Sequence, residues 1–153
     1  MPRASVSFKF SQRFPCSARK LFEWATDYQP DDLQLMGHQG RREVRRICND
    51  TILLVDTVVT ASGKRLTKKK LVRTYEDRLA WTNTHLSGPA LYSQFLYEAV
   101  PEGRSRSRLE FTGRQIVEDP SAGKRELAAM AARIRADDIA SWRRLARAMK
   151  DSS

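Results

Sequence analysis

Between Arg42 and Val117 the chain repeats one pattern six times: a β-rich run of six to eleven residues, then a turn signal. The runs are EVRRIC, TILLVDTVVT, RLTKKKLVRTY, RLAWTNTHL, LYSQFLYEAV and SRLEFTGRQIV. Asn49-Asp50, Ser62-Gly63, Glu76-Asp77, Ser87-Gly88-Pro89, Pro101-Glu102-Gly103 and Asp119-Pro120 close them in turn. Connections this short suit hairpins, so the segment predicts an antiparallel meander. Its charges fall on alternate positions, as in a sheet with one wet and one dry face. In the last run Arg106, Arg108, Glu110, Thr112 and Arg114 share one side, and Leu109 and Phe111 the other. A seventh strand precedes them over residues 5–14, where Val6, Phe8, Phe10 and Phe14 alternate with polar residues.

Two short helices and one long one complete the pattern. Pro15 ends the first strand, and Ser17 is placed to cap a helix over SARKLFEWAT. A second short helix is expected at about 31–36, after Pro30 and before Gly37, with Asp31 and Asp32 favoured by its dipole. The third spans about 121–149, capped by Asp119 or Ser121 with Pro120 tolerated in its first turn. Its stripe is Leu127, Ala131, Ile134, Trp142, Leu145 and Met149, widened by Met130 and Ile139 and spoiled slightly by Asp138. At 1.5 Å per residue it reaches roughly 40 Å, enough to cross a domain. Seven twisted strands curl, and this helix alone is long enough to cover their concave dry face. A straight helix over a curved sheet leaves room beneath its middle, a natural site for an apolar ligand. Neither a linker nor an internal repeat divides the chain, so residues 1–153 read as one domain.

This element order, with FPCSARKLFEWATDY near the start, resembles the START-like helix-grip superfamily (SRPBCC) of polyketide cyclases, lipid-transfer domains, hormone receptors and pollen-allergen-like proteins. Gly88-Pro89 followed by LYSQFLYEAVPEGRSRSRLEF is a second piece of the likeness. The resemblance implies an α+β helix-grip fold: a curved seven-stranded antiparallel sheet around a long C-terminal helix, with two short helices after strand 1. It implies a ligand class no finer than lipid, polyketide or aromatic metabolite, since fold alone does not give function.

Charge and cysteine usage narrow the partners. Lys and Arg total 28 against 18 acids, a net +10, and 20 of the 28 are Arg. Such a field suits an acidic protein or an anionic surface, and it suits equally a solvated surface in which acids are interleaved. No RNP-like, zinc-finger or helix-turn-helix pattern accompanies it, so sequence-specific nucleic-acid binding is not expected. Lys68 and Lys70 read as an outward, edge-protecting pair. Cys16 and Cys48 form no CxxC motif and stand with only two histidines, His38 and His85. Neither a structural metal nor a disulfide is expected, and no cofactor. A transmembrane segment and a signal peptide are not expected either, leaving the cytoplasm as the anticipated compartment.

The candidate site residues come from the predicted dry faces. Trp81, Asn83 and His85 share a side, because strand side chains two apart point the same way. On the concave face they offer an aromatic wall, an amide and an imidazole; on the outer face they are solvated. Phe8, Phe10, Tyr75, Phe95, Tyr97, Leu109 and Phe111 are further lining candidates, with Met130, Ile134 and Trp142 from the helix. Arg73, sharing a side with Tyr75, can anchor a ligand's anionic end or lie at a rim. His85 and Asn83 are the only weak catalytic candidates, since no GxSxG or Cys-His signature exists. Carrier or sensor roles therefore rank above catalysis. The alternatives are a cyclase, aromatase or dehydratase that folds and enolises its substrate, and a basic-surface interaction or co-chaperone-like module whose cavity is filled. Cys16 reads as an inert strand-end residue despite preceding a helix.

Overall fold

Alternation in β1 (Ala4–Phe14) buries Val6, Phe8, Phe10 and Phe14 and leaves Ser5, Ser7, Lys9, Ser11 and Arg13 exposed. The same rule builds the rest of the computed structural model, which describes residues 4–117 and 123–152. After β1 come α1 (Ala18–Ala25) and α2 (Asp32–Leu35). The strands β2 (Gly40–Cys48), β3 (Thr51–Val59), β4 (Arg65–Tyr75), β5 (Ala80–His85), β6 (Gln94–Pro101) and β7 (Ser107–Val117) follow, and then α3 (Lys124–Ser152). All seven strands join one antiparallel sheet in the order β1-β7-β6-β5-β4-β3-β2. The meander from β2 to β7 thus runs in sequence, and β1 adds to its far edge. Helices α1 and α2 carry the chain from one edge strand to the other. This is the helix-grip architecture expected from the sequence.

Local chemistry sets the element ends. Ser17 caps α1 by accepting from the Lys20 backbone N–H at 3.2 Å. Gly37, at φ 85°, ends the α2 turn in the left-handed region, where a side chain is strained. Asp32 does more than favour a helix dipole. Its carboxylate accepts from the Gln29 N–H at 2.9 Å and reaches Arg42 Nη1 at 3.4 Å. The fourth run is shorter than expected, because Glu76–Arg78 form a 3-10 turn with Leu79 at φ 49°. The expected caps of α3, Asp119 or Ser121, and the neighbouring Pro120 lie outside the described residues.

Helix α3 lies along β1 and closes the concave side. Trp142, Leu145 and Met149 are buried, and Ile134, Ile139 and Ala146 pack against the same core. Trp142 meets Phe14 edge-on with ring centroids 6.2 Å apart. Cys16 is buried with its thiol 3.1 Å from Met149 Sδ, and burial pushes that thiol's pKa up. A raised thiol pKa means an inert residue at neutral pH. Among the described residues, no helix is long and apolar enough to cross a membrane, and no cluster of His, Cys, Asp and Glu could hold a metal ion.

Candidate functional site

The interior between sheet and α3 holds a cavity of about 610 Å³, within the usual range for small-molecule sites. Trp81, Asn83 and His85 of β5 face it, with Phe95 and Tyr97 of β6, Phe111 of β7 and Trp142 of α3. The face shared by Trp81, Asn83 and His85 is therefore the concave one. Phe8, Phe10 and Leu109 are buried in the adjoining core without lining the cavity, and Ile134 packs on that core. Met130 is half-buried and belongs to neither the lining nor the core cluster. The helix reaches the cavity later than expected, through Asp137, Asp138, Ser141, Trp142 and Leu145.

Arg73 and Tyr75 are not at this site. Val72 is fully buried, so the β4 side chains that point inward are Lys68, Lys70, Val72 and Thr74. Arg73 and Tyr75 therefore sit on the convex face, where Arg73 approaches Asp50 at 3.6 Å and the Tyr75 ring at 5.9 Å. The expected outward orientation of Lys68 and Lys70 is corrected by the same parity: both line the cavity.

What draws Lys70 inward is Asp56, which is fully buried in β3. Arg42 of β2 binds it through two hydrogen bonds, Nε to Oδ1 at 2.7 Å and Nη2 to Oδ2 at 2.8 Å. Lys70 Nζ adds a third contact at 2.8 Å to Oδ2. Register explains the meeting, since Asp56 is opposite Arg42 on one side and Lys68 on the other, one inward position from Lys70. Burial alone would raise the Asp56 pKa. The Arg42 hydrogen bonds and the Lys70 charge outweigh it and hold the carboxyl down at about 2.

Aromatic rings form the other wall. Trp81 and Tyr97 stack with centroids 5.1 Å apart and planes 2° apart. Trp142 tilts against both, at 6.5 and 5.6 Å. Phe111 meets Tyr97 edge-on at 5.0 Å. Gly113 makes room for this cluster, because a Cβ there would stand 2.8 Å from Phe111 Cε1 and 3.0 Å from Phe95 Cδ1.

Two buried polar atoms on β5 have no partner: Asn83 Oδ1 and His85 Nδ1. Burial, then the Lys70 and Lys68 charges, depress the His85 pKa to about 3, so its imidazole is neutral at physiological pH. Asp138 behaves oppositely to Asp56. Burial and then its neighbour Asp137 raise its carboxyl to about 6, against the pull of Lys70 and Lys68. A carboxyl raised in the folded state costs stability once ionised. The cost is absent below the unfolded pKa near 4, grows as pH rises, and is complete above about 6. Asp138→Asn should therefore stabilise the fold at pH 8 by about 1–3 kcal/mol and leave it unchanged at pH 3.5. Urea denaturation at the two pH values checks this, and equal effects at both would refute it.

Sequence reasoning missed Arg42, Asp56 and Lys70 as site residues, and with them Tyr28, which lines the cavity with its ring centroid 5.7 Å from the Arg42 guanidinium. The one available signal was Asp56 itself, a lone charge inside the apolar run TILLVDTVVT. A charge there needs a buried counter-charge.

No protein-family model and no curated protein matches the sequence. Solved structures do match its fold. The Zhui aromatase/cyclase from Streptomyces sp. R1128 superposes with a TM-score of 0.78 at 11% identity, over 96% of this chain and 94% of that one. A START superfamily protein from Mycobacterium smegmatis gives 0.78 at 12% identity, over 96% and 99%. A protein of Thermus thermophilus gives 0.77 at 14% identity, over 98% and 99%. At such identities it is backbone shape that is shared, across nearly the whole of each chain, and this chain has the START-like helix-grip fold.

Proposed function

We propose that residues 1–153 act as one unit that binds an amphipathic small molecule, with a planar apolar body, between the sheet and α3 as a carrier or sensor. The observation that carries this reading is the 610 Å³ cavity with aromatic rings on one wall and a fixed charge network on the other. Trp81, Tyr97, Phe111 and Trp142 offer flat apolar area, and the unpartnered Asn83 and His85 atoms offer polar contacts that orient a guest. An interior this open does not fit the alternative of an interaction module with a filled cavity.

A second reading is a cyclase or dehydratase-type enzyme. It is favoured by one observation: a neutral imidazole and a carboxyl of pKa about 6 face the same cavity. Groups poised near the working pH suit general acid-base chemistry. Likeness in fold to an aromatase/cyclase adds to the same reading.

The test is a thermal-shift screen of fatty acids, flavonoids and aromatic polyketides, with tryptophan fluorescence as a second readout. A ligand at about 100 times its Kd should add about 2.7 kcal/mol of stability. For a domain of this size that raises Tm by about 5–10 °C. No shift and no fluorescence change across the panel would end the ligand-binding reading. Turnover of a bound polyketide, abolished in His85→Ala, would move the assignment to the enzyme.

A further inference from the structure

The geometry points to a protonated aromatic amine as the ligand class, with its ammonium held by Asp138 and Asn83 and its ring against Tyr97 and Trp142. This rests on the ligand-binding reading above and narrows it. The first observation is charge. The chain carries +10, yet the cavity is lined by five aspartates against one arginine and two lysines. Of the cations, Lys70 is bound to Asp56 and Arg42 is shared between Asp56 and Asp32, so among the described lining residues Lys68 remains to oppose Asp27, Asp31, Asp137 and Asp138. Among the described residues, no cation lies within ion-pair distance of Asp138, although it is half-buried and faces the cavity.

The second observation is independent of the acids. Asn83 is 8% exposed, and its Oδ1 is left with no donor. An unmatched buried acceptor costs free energy that a ligand N–H recovers. Asp138 lies one helical turn before Trp142, whose ring is 5.6 Å from that of Tyr97, and Asp138, Tyr97 and Asn83 all line the cavity. The surrounding surface is aromatic, and ring faces attract cations, more strongly when water is excluded. Carboxylate, amide oxygen and π-faces all accept or attract positive charge. A carboxylate-bearing guest would meet them with the wrong sign, and an alcohol would leave Asp138 unpaired.

The test compares three probes of one shape at pH 7.5 and fixed ionic strength by isothermal titration: 2-naphthylmethylammonium, 2-naphthylmethanol and 2-naphthoate. The ammonium should bind at least tenfold more tightly than the alcohol, with the naphthoate weakest. Asp138→Asn should bring the ammonium-to-alcohol ratio to within twofold, and Lys68→Met should raise it. The wild-type ratio should also fall between pH 7.5 and 5, as Asp138 protonates. The other groups facing the cavity are Asp27, Asp31, Asp32, Asp137, Lys68, Lys70, His38, His85, Tyr28, Tyr97 and Arg42. Of these, Asp27, whose carboxyl burial also lifts to about 6, Asp32, whose carboxyl burial raises too, and His38, whose imidazole burial lowers, respond to pH beside Asp138. The Asp138→Asn variant, titrated over the same range, separates their effect from that of Asp138. A ratio near one, or a tighter naphthoate, overturns the amine assignment and leaves the cavity a ligand site. If none of the three binds while the wider panel still shifts Tm, the assignment fails alone. If nothing binds at all, both readings fail.

Discussion

Replacing Asp56 with Asn should destabilise the protein by about 3–5 kcal/mol, because the change leaves buried Lys70 without its carboxylate and Arg42 with only the longer 3.4 Å contact to Asp32. The Arg42 and Lys70 side chains are only 6% and 16% exposed, so water cannot take over the role of the carboxylate. For a domain of this size the loss corresponds to a fall in Tm of about 6–20 °C. The triple change Arg42→Met, Asp56→Leu, Lys70→Met removes the charges together and should cost far less, since a buried ion pair replaced whole by apolar groups is often near neutral. Acid titration gives the same network a pH signature. The folded-state pKa of Asp56 lies at about 2, below the ordinary 3.8, so its contribution is present above about pH 4 and lost as pH falls toward 2. That part is about 2 kcal/mol, and the Asp56→Asn variant should not show it. Urea denaturation at pH 7 and across pH 2–5 measures both effects. A loss under 1 kcal/mol at pH 7 would mean the network is solvated and holds nothing.

The same network shows where reading from sequence succeeds and fails. Turn signals and alternation were enough for the sheet and the long helix, because they report local geometry and a single wet-or-dry decision per strand. In β7 the decision is plain: Leu109 and Phe111 point in, Arg108 and Glu110 out. Strand β4 defeats it. Lys68 and Lys70 alternate with Lys69 and Leu71, and the rule that charges face water assigns them outward. The interior holds a fixed carboxylate at Asp56, so a lysine is better placed inside than out. Arg73 and Tyr75 then go to the convex face, carried there by two-residue periodicity. Asp138 misled in the same way. On a helical wheel it spoils an apolar stripe, yet it faces a cavity and not a packed core. A cavity is the one interior surface where charge is tolerated without close packing, and its location depends on how sheet curvature and helix meet, which no local pattern encodes.

Removing Trp81 should damage the aromatic wall more than any other single truncation there, because it joins the cavity to the packed core. Its side chain is 1% exposed. One face stacks on Tyr97 at 5.1 Å, an edge contact reaches Phe22 of α1 at 5.9 Å, and Trp142 of α3 tilts against it at 6.5 Å. The ring thus ties the sheet to both helices that cover it. Trp81→Ala is expected to cost about 3–5 kcal/mol, the usual range for a buried aromatic replaced by alanine. Tyr97→Phe keeps the ring stack and loses only the hydroxyl, so it should cost about 1 kcal/mol. The void left by Trp81 adjoins the existing cavity and is lined by Phe22, Tyr97 and Trp142. An apolar void of this kind binds small aromatics, so indole should raise the Tm of Trp81→Ala by several degrees more than that of the wild type. Thermal denaturation with and without indole gives both numbers. A cost below about 1.5 kcal/mol, or equal indole shifts in the two proteins, would show that Trp81 is not the joint between cavity and core.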